Sequence, residues 1–128
     1  MSERDIKLLI VDDEEDILIE SKEILEKKGF SVFTAIDSGQ ALEVIKKEMP
    51  KIYILDIHMP KSELDGLRVL EEIRKTDKAA YCIMLSRVDE KEKIDTAKRL
   101  GANRYILKPI DYPELLELID EAAKAVKR

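Results

Sequence analysis

The sequence predicts an α/β fold, a single parallel sheet of five strands wound on both faces by five helices. Short apolar runs alternate with longer segments of helical spacing five times along the chain. Four of the five runs are near-continuously apolar, as in strands covered on both faces. The runs start at about residues 6, 31, 52, 80 and 104, which leaves room for one helix in each gap.

The first run is residues 6–11 (IKLLIV). A stripe of Ile17, Ile24 and Leu25 follows it and stops at Gly29. The second run, residues 31–35 (SVFTA), is the least continuous, and Leu42, Ile45 and Met49 form its helix stripe before Pro50. The third, residues 52–55 (IYIL), leads to Leu67, Leu70 and Ile73. The fourth, residues 80–85 (AYCIML), leads to a weaker stripe of Ile94, Ala97 and Leu100, ended by Gly101. The fifth, residues 104–107 (RYIL), is followed by Leu115, Leu118, Ile119, Ala122 and Val126. Glycine and proline sit where the helices should stop, and Asp37-Ser38 is the expected cap of the second helix.

No linker, repeat or low-complexity tract divides the 128 residues, so residues 1–128 are expected to form one domain, with no output domain in this chain. Apolar residues make up 45% and charged residues 40%, the balance of a globular rather than a disordered chain. The net charge of −5 argues against direct nucleic-acid binding, whose affinity comes largely from neutralising phosphates. One cysteine and one histidine exclude an internal disulfide and a Cys/His zinc site. The charged N-terminal stretch lacks the apolar core of a leader, and no apolar run approaches the roughly 20 residues of a membrane span. A cytoplasmic protein is the expectation.

The chemistry lies at the run ends. In open α/β sheets, ligands bind beyond the carboxyl ends of the strands. The first run ends in Asp12-Asp13, the third in Asp56, the fourth in Ser86 and the fifth in Lys108-Pro109, whereas the second ends without a comparable group. Three carboxylates brought together repel one another unless a cation joins them. A hard, oxygen-preferring ion such as Mg2+ suits few carboxylates, water and phosphate oxygens. A carboxylate is also a nucleophile able to form an aspartyl phosphate, which a lysine and a hydroxyl would stabilise. The set points to Mg2+-assisted phosphoryl transfer to an aspartate.

With VDDE (11–14), ILDIHMP (54–60), DG (65–66), MLS (84–86), GA (101–102) and YILKP (105–109) in that order and spacing, the chain resembles the response-regulator receiver domain of two-component signalling along essentially its whole length. The resemblance implies the flavodoxin-like strand order 2-1-3-4-5. It implies that Asp56 is the phosphoacceptor. Asp12 and Asp13, the latter the more direct ligand, would bind Mg2+ with Asp56 and the backbone carbonyl of His58. Ser86 resembles the switch hydroxyl, Lys108 its partner lysine, and Tyr105 the aromatic that changes rotamer with the signal. The Lys108–Pro109 bond is expected to be cis. The implied partners are a sensor histidine kinase or phosphotransfer protein and a downstream effector of unknown identity, reached through the fourth helix, fifth strand and fifth helix. A phosphorylation-dependent dimer is also within the family's pattern. The implied role is a signalling switch with self-catalysed phosphotransfer and dephosphorylation, rather than an enzyme.

Two departures from the family pattern stand out. The loop KSEL (61–64) is two residues longer than usual. Arg87 follows Ser86 where a small residue is usual, so Arg87 is expected to modulate access, either covering the site or adding a cation to phosphate. Each residue also has a plainer reading. Asp13 would cap the first helix, Asp56 would turn to solvent, Ser86 would make only local bonds, Lys108-Pro109 would be an ordinary turn, and Tyr105 and Cys82 would be core. The charged run at 89–99 reads as a solvated helix face. At the level of function, the alternatives are a phosphate-independent pseudo-receiver and a Mg2+ phosphohydrolase. The hydrolase lacks the usual second acid two residues after the nucleophile, where His58 stands.

Overall fold

The computed structural model describes residues 6–87 and 89–127. The leader-free N-terminal reading falls largely on residues 1–5, outside this range. Strand and helix alternate without exception: β1 (Lys7–Val11), α1 (Glu15–Lys27), β2 (Ser31–Ala35), α2 (Ser38–Glu48), β3 (Ile52–Asp56), α3 (Gly66–Thr76), β4 (Tyr81–Ser86), α4 (Lys91–Arg99), β5 (Arg104–Leu107) and α5 (Tyr112–Val126). The strands form one sheet in the order β2-β1-β3-β4-β5, and every neighbouring pair is parallel.

The period-two alternation of a strand sorts these apolar runs into two cores. Leu8, Ile10, Ile52, Ile54, Ile83 and Leu85 point to one face, where Leu18 and Leu25 of α1 and Leu115 and Ile119 of α5 cover them. Leu9, Val11, Tyr53, Leu55, Cys82 and Met84 point to the other, beneath Ala41 of α2, Val69, Leu70 and Ile73 of α3, and Ile94 and Ala97 of α4. Every residue of β3 and β4 is buried, which is why those runs read as unbroken hydrophobic segments. Cys82 is core, and burial pushes its thiol up to about 12.

Three expectations are corrected. The buried face of α1 is Leu18, Ser21 and Leu25, leaving Ile17 and Ile24 half-buried. Ser21 is accommodated because its hydroxyl meets the Tyr112 hydroxyl of α5 at 3.1 Å. Met49 is not a core residue: it ends α2 in a left-handed conformation, at φ 49°, and is exposed. β5 is not covered on both faces, because it is an edge strand in which only Ile106 is buried.

The chain runs from β1 outward to β2 and then crosses back to β3 on the other side of β1. The segments leaving β1 and β3 therefore diverge and open a crevice at their carboxyl ends. The far wall of that crevice is fixed by the start of α3. Asp65 caps the helix by accepting from the Arg68 N–H at 3.0 Å. Gly66 lies so close to β3 that a Cβ there would overlap the Asp56 carbonyl oxygen. The longer loop 61–64 is pinned to α2: the Ser38 N–H donates to Ser62 Oγ at 2.8 Å, and the Leu64 N–H donates to Ser38 Oγ at 3.1 Å.

Because the obstacle at Gly66 is backbone and not a side chain, Gly66→Ala should cost about 1–3 kcal/mol through displacement of α3 from the end of β3. Urea unfolding followed by circular dichroism measures this, and a midpoint equal to wild type would show that the contact yields freely.

Candidate functional site

The sequence-selected polar residues converge where the strands end. Asp12 directly follows β1 and continues its ladder, its N–H donating to the Ala35 carbonyl at 3.1 Å. Asp12 Oδ1 accepts from the Glu14 N–H at 2.8 Å, which turns the chain into α1. Asp13 caps nothing: the residue at the cap position is Glu14, whose side chain makes no capping bond. Asp13 is half-buried and faces the same space as its neighbour. Asp56 is the last residue of β3, and its Oδ1 accepts from the His58 N–H at 3.2 Å. One oxygen from each of Asp12, Asp13 and Asp56 lies within 4.8 Å of the others.

Lys108 reaches this cluster from the far edge of the sheet. Its backbone N–H donates to the Ser86 carbonyl at 2.7 Å, extending the β4–β5 pairing by one residue. Its ammonium lies 2.8 Å from Asp12 Oδ2, 3.1 Å from Asp56 Oδ2 and 3.7 Å from Glu14 Oε2. The contact to Asp56 is an aligned hydrogen bond. The approach to Asp12 is off-axis, so Asp12 Oδ2 has an ion pair and no aligned donor although it is fully buried. The Lys108–Pro109 peptide is cis, as expected. Ser86 is also fully buried, and its hydroxyl has no hydrogen-bond partner.

One lysine does not balance this much buried negative charge. Burial pushes the Asp56 carboxyl up to about 7, the neighbouring Asp12 charge adds to the rise, and Lys108 and the His58 N–H offset only part of it. Burial raises Asp12 as well, against the pull of Lys108 and of the Glu14 N–H. Burial works against the charge of Lys108, but the two carboxylates outweigh it and hold the ammonium above its ordinary value. The donor set is all oxygen and partly unsatisfied, and it carries excess negative charge. Those are the properties a hard divalent cation such as Mg2+ requires, so the residues fit one.

The remaining candidates lie at the rim or beyond it. Tyr105 is 43% exposed on β5, with the Lys98 ammonium 5.5 Å above its ring. Arg87 is exposed and forms no ion pair among the described residues. Its side chain borders a cavity that also takes in Glu14, Lys108 and Tyr112. Sequence reasoning missed Glu90, assigned above to a solvated helix face. Glu90 is 7% exposed, and its Oε1 accepts from the Arg87 N–H at 2.7 Å. No spacing marks it: Glu90 immediately precedes α4 and is not at the third helical position where a capping box places a glutamate. Gly66 was noted only as part of a motif, because its role depends on a close approach that no sequence displays.

Residues 8–120 match the family described as the response regulator receiver domain. The chain is 34% identical over 122 residues to sporulation initiation phosphotransferase F of Bacillus subtilis (strain 168), spanning 95% of this chain and 91% of that protein. It is 36% identical over 116 residues to the chemotaxis protein CheY of the same organism, spanning 90% and 95% of the two chains. The crystal structure of the receiver domain of NtrX from Brucella abortus is similar at a TM-score of 0.86 and 35% identity, covering 91% of this chain and 98% of that one.

Asp56→Asn removes one buried charge and keeps an acceptor for the His58 N–H. In metal-free buffer above about pH 8 it should stabilise the fold by on the order of 1–3 kcal/mol. With its folded value raised above the unfolded one, Asp56 binds its extra proton in the folded state between about pH 4 and 7. Its contribution to stability therefore falls as pH rises through that window. The advantage of the variant is largest above pH 7 and shrinks as pH falls below it. Added Mg2+ should raise the thermal midpoint of wild type and leave that of the variant nearly unmoved. Thermal melts across pH, with and without Mg2+, measure both effects, and a wild-type midpoint insensitive to Mg2+ would contradict the assignment.

Proposed function

The chain belongs to the response regulator receiver domain family of two-component signalling, and from that premise we propose that it is a phosphorylation-dependent switch with Asp56 as its phosphoacceptor. The observation that carries the reading is the placement of Asp56. It is buried at the end of a central strand, within ligand reach of Asp12 and Asp13, and tied through Lys108 to Asp12.

In this reading a carboxylate oxygen of Asp56 attacks the phosphorus of a phosphohistidine on a sensor kinase or phosphotransfer protein. The P–N bond breaks, its electron pair returns to the imidazole, and an acyl phosphate forms on Asp56. Asp12, Asp13, Asp56 and the His58 carbonyl would hold Mg2+, which when bound neutralises charge on the transferring phosphoryl oxygens. Lys108 turns from the Asp56 carboxylate to the phosphoryl group. Ser86 supplies a hydroxyl that has no other partner to lose. In the reverse sense, water attacks the phosphorus, inorganic phosphate leaves, and the carboxylate is restored.

The new group carries close to two negative charges. Drawing Ser86 toward it shifts a population between two states of the segment after β4, and of Tyr105 on β5, so the signal leaves through α4, β5 and α5. The protein consumes its own phosphoryl group and transforms no separate substrate, so it is a signalling component of the cytoplasm rather than an enzyme in the usual sense. The exposure of Arg87, with no ion pair to any of the three carboxylates, supports this reading over a phosphate-independent binding module.

Incubation with Mg2+ and acetyl phosphate, followed by intact mass measurement, tests the assignment. Wild type should gain one phosphoryl group, and Asp56→Ala and chelator-treated wild type should gain none. Equal spectra for wild type and Asp56→Ala would falsify it.

A further inference from the structure

Among the described residues the buried carboxylates are Asp12, Asp56 and Glu90. The first two belong to the cluster above; Glu90 does not. Its Oε1 accepts from the Arg87 N–H at 2.7 Å, while its Oε2 is buried without a hydrogen-bond partner. Two groups face Oε2 within ion-pair reach but beyond hydrogen-bond distance: Lys93 Nζ at 3.6 Å and His58 Nδ1 at 3.9 Å. A carboxylate oxygen withdrawn from water with no donor is costly. The start of α4 at Lys91, directly after Glu90, offsets only part of that cost.

The neighbours of Glu90 give this arrangement its meaning. Arg87 is covalently next to Ser86. His58 donates its N–H to the Asp56 carboxylate at 3.2 Å. Glu90 thus touches both chain segments that flank the phosphoacceptor, along a cavity of about 650 Å³ that His58, Arg87, Glu90 and Lys93 help to line. In the switch proposed above the free hydroxyl of Ser86 is drawn toward a phosphoryl group on Asp56, and a shift of Ser86 carries the Arg87 N–H with it. The short bond to Glu90 resists that shift. Once the bond is released, Lys93 and His58 stand ready to take the carboxylate.

We propose that Glu90 is a positioning residue that sets the resting place of Ser86: its carboxylate holds the Arg87 N–H in the unphosphorylated state and exchanges it for Lys93 or His58 when Ser86 engages the phosphoryl group. The element has two discrete arrangements, and phosphorylation selects between them. The proposal rests on Asp56 being the phosphoacceptor.

The test uses the whole chain, Mg2+ and beryllofluoride as a phosphoryl mimic, followed by amide NMR. In wild type the Arg87 amide proton should lie downfield, as in a short charge-assisted bond, and move upfield on saturation. Glu90→Ala should bind beryllofluoride about threefold or more tightly, because the competing hold on Arg87 is gone. Glu90→Gln keeps a neutral acceptor and should fall between the two. Affinity equal to or weaker than wild type in a folded Glu90→Ala overturns the proposal, and so does equal tightening by Glu90→Gln, which loss of the charge alone would produce. If Glu90→Ala does not fold, the wild-type amide decides, and an Arg87 proton that stays in place overturns it. Failure of wild type to bind beryllofluoride would instead strike the phosphoacceptor reading itself, and this inference with it.

Discussion

Everything at the carboxyl end of this sheet depends on one ammonium standing between two buried carboxylates. Lys108 is 2.8 Å from Asp12 and 3.1 Å from Asp56, and each of those side chains is nearly or fully withdrawn from water. Removal of a lone carboxylate from water is opposed by far more than one hydrogen bond returns. One positive charge shared between two acids leaves the group net negative, and Asp13 and Glu14 add to the excess. The raised value of Asp56 expresses that imbalance. The fold tolerates the cluster because Lys108 is held at its backbone by the Ser86 carbonyl as well as at its tip.

That constraint explains why the parallel order matters more to function than any single packing contact. Asp12, Asp56, Ser86 and Lys108 come from β1, β3, β4 and β5, neighbours in space and far apart in sequence. In a parallel sheet all strands end on the same side, so a residue that closes each strand arrives at the same crevice. Lys108 comes from the edge, two strands away from Asp56, and only a long side chain spans that gap. The core beneath has no such charge: on both faces of β3 and β4 the packing is apolar, mostly Ile and Leu with Tyr53, Tyr81, Cys82 and Met84. The site therefore sits on a rigid floor while its rim consists of loops.

Much of this was legible in the sequence, because its cause is periodic or terminal. Unbroken apolar runs mark strands buried on both faces, and a polar residue closing such a run marks a site; that logic located Asp12, Asp56, Ser86 and Lys108. Where the cause lay in tertiary geometry, it failed. β5 reads as apolar as β4 yet is an edge, and nothing in RYIL distinguishes the two. Ile17 and Leu18 are equally apolar, and only the angle at which α1 lies on the sheet makes Leu18 the buried one. Glu90 sits in a run of alternating charge, where a buried acid has the same letter as a solvated one. Gly66 is small because of the Asp56 carbonyl, a neighbour ten residues earlier that no local rule brings near.

The distribution of unmet hydrogen bonds draws these observations together. Among the described residues, the buried side-chain atoms without an aligned hydrogen bond are Asp12 Oδ2, which has only its ion pair to Lys108, Ser86 Oγ, and Glu90 Oε2, which has only long ion pairs. All three lie at the carboxyl end of the sheet, on segments that leave β1 and β4. Native interiors satisfy nearly all their buried polar atoms, and the other buried side-chain polar atoms among the described residues follow that rule. A molecule that concentrates its unmet valences at one end is locally frustrated there and consistent elsewhere. A cation would answer Asp12, and a phosphoryl oxygen would answer Ser86. Neither ligand answers Glu90, whose second oxygen faces protein groups instead. Two of the unmet bonds are thus addressed to ligands. The third is addressed to the protein's own rearrangement, and a site that must both bind a group and report that it is bound needs both kinds.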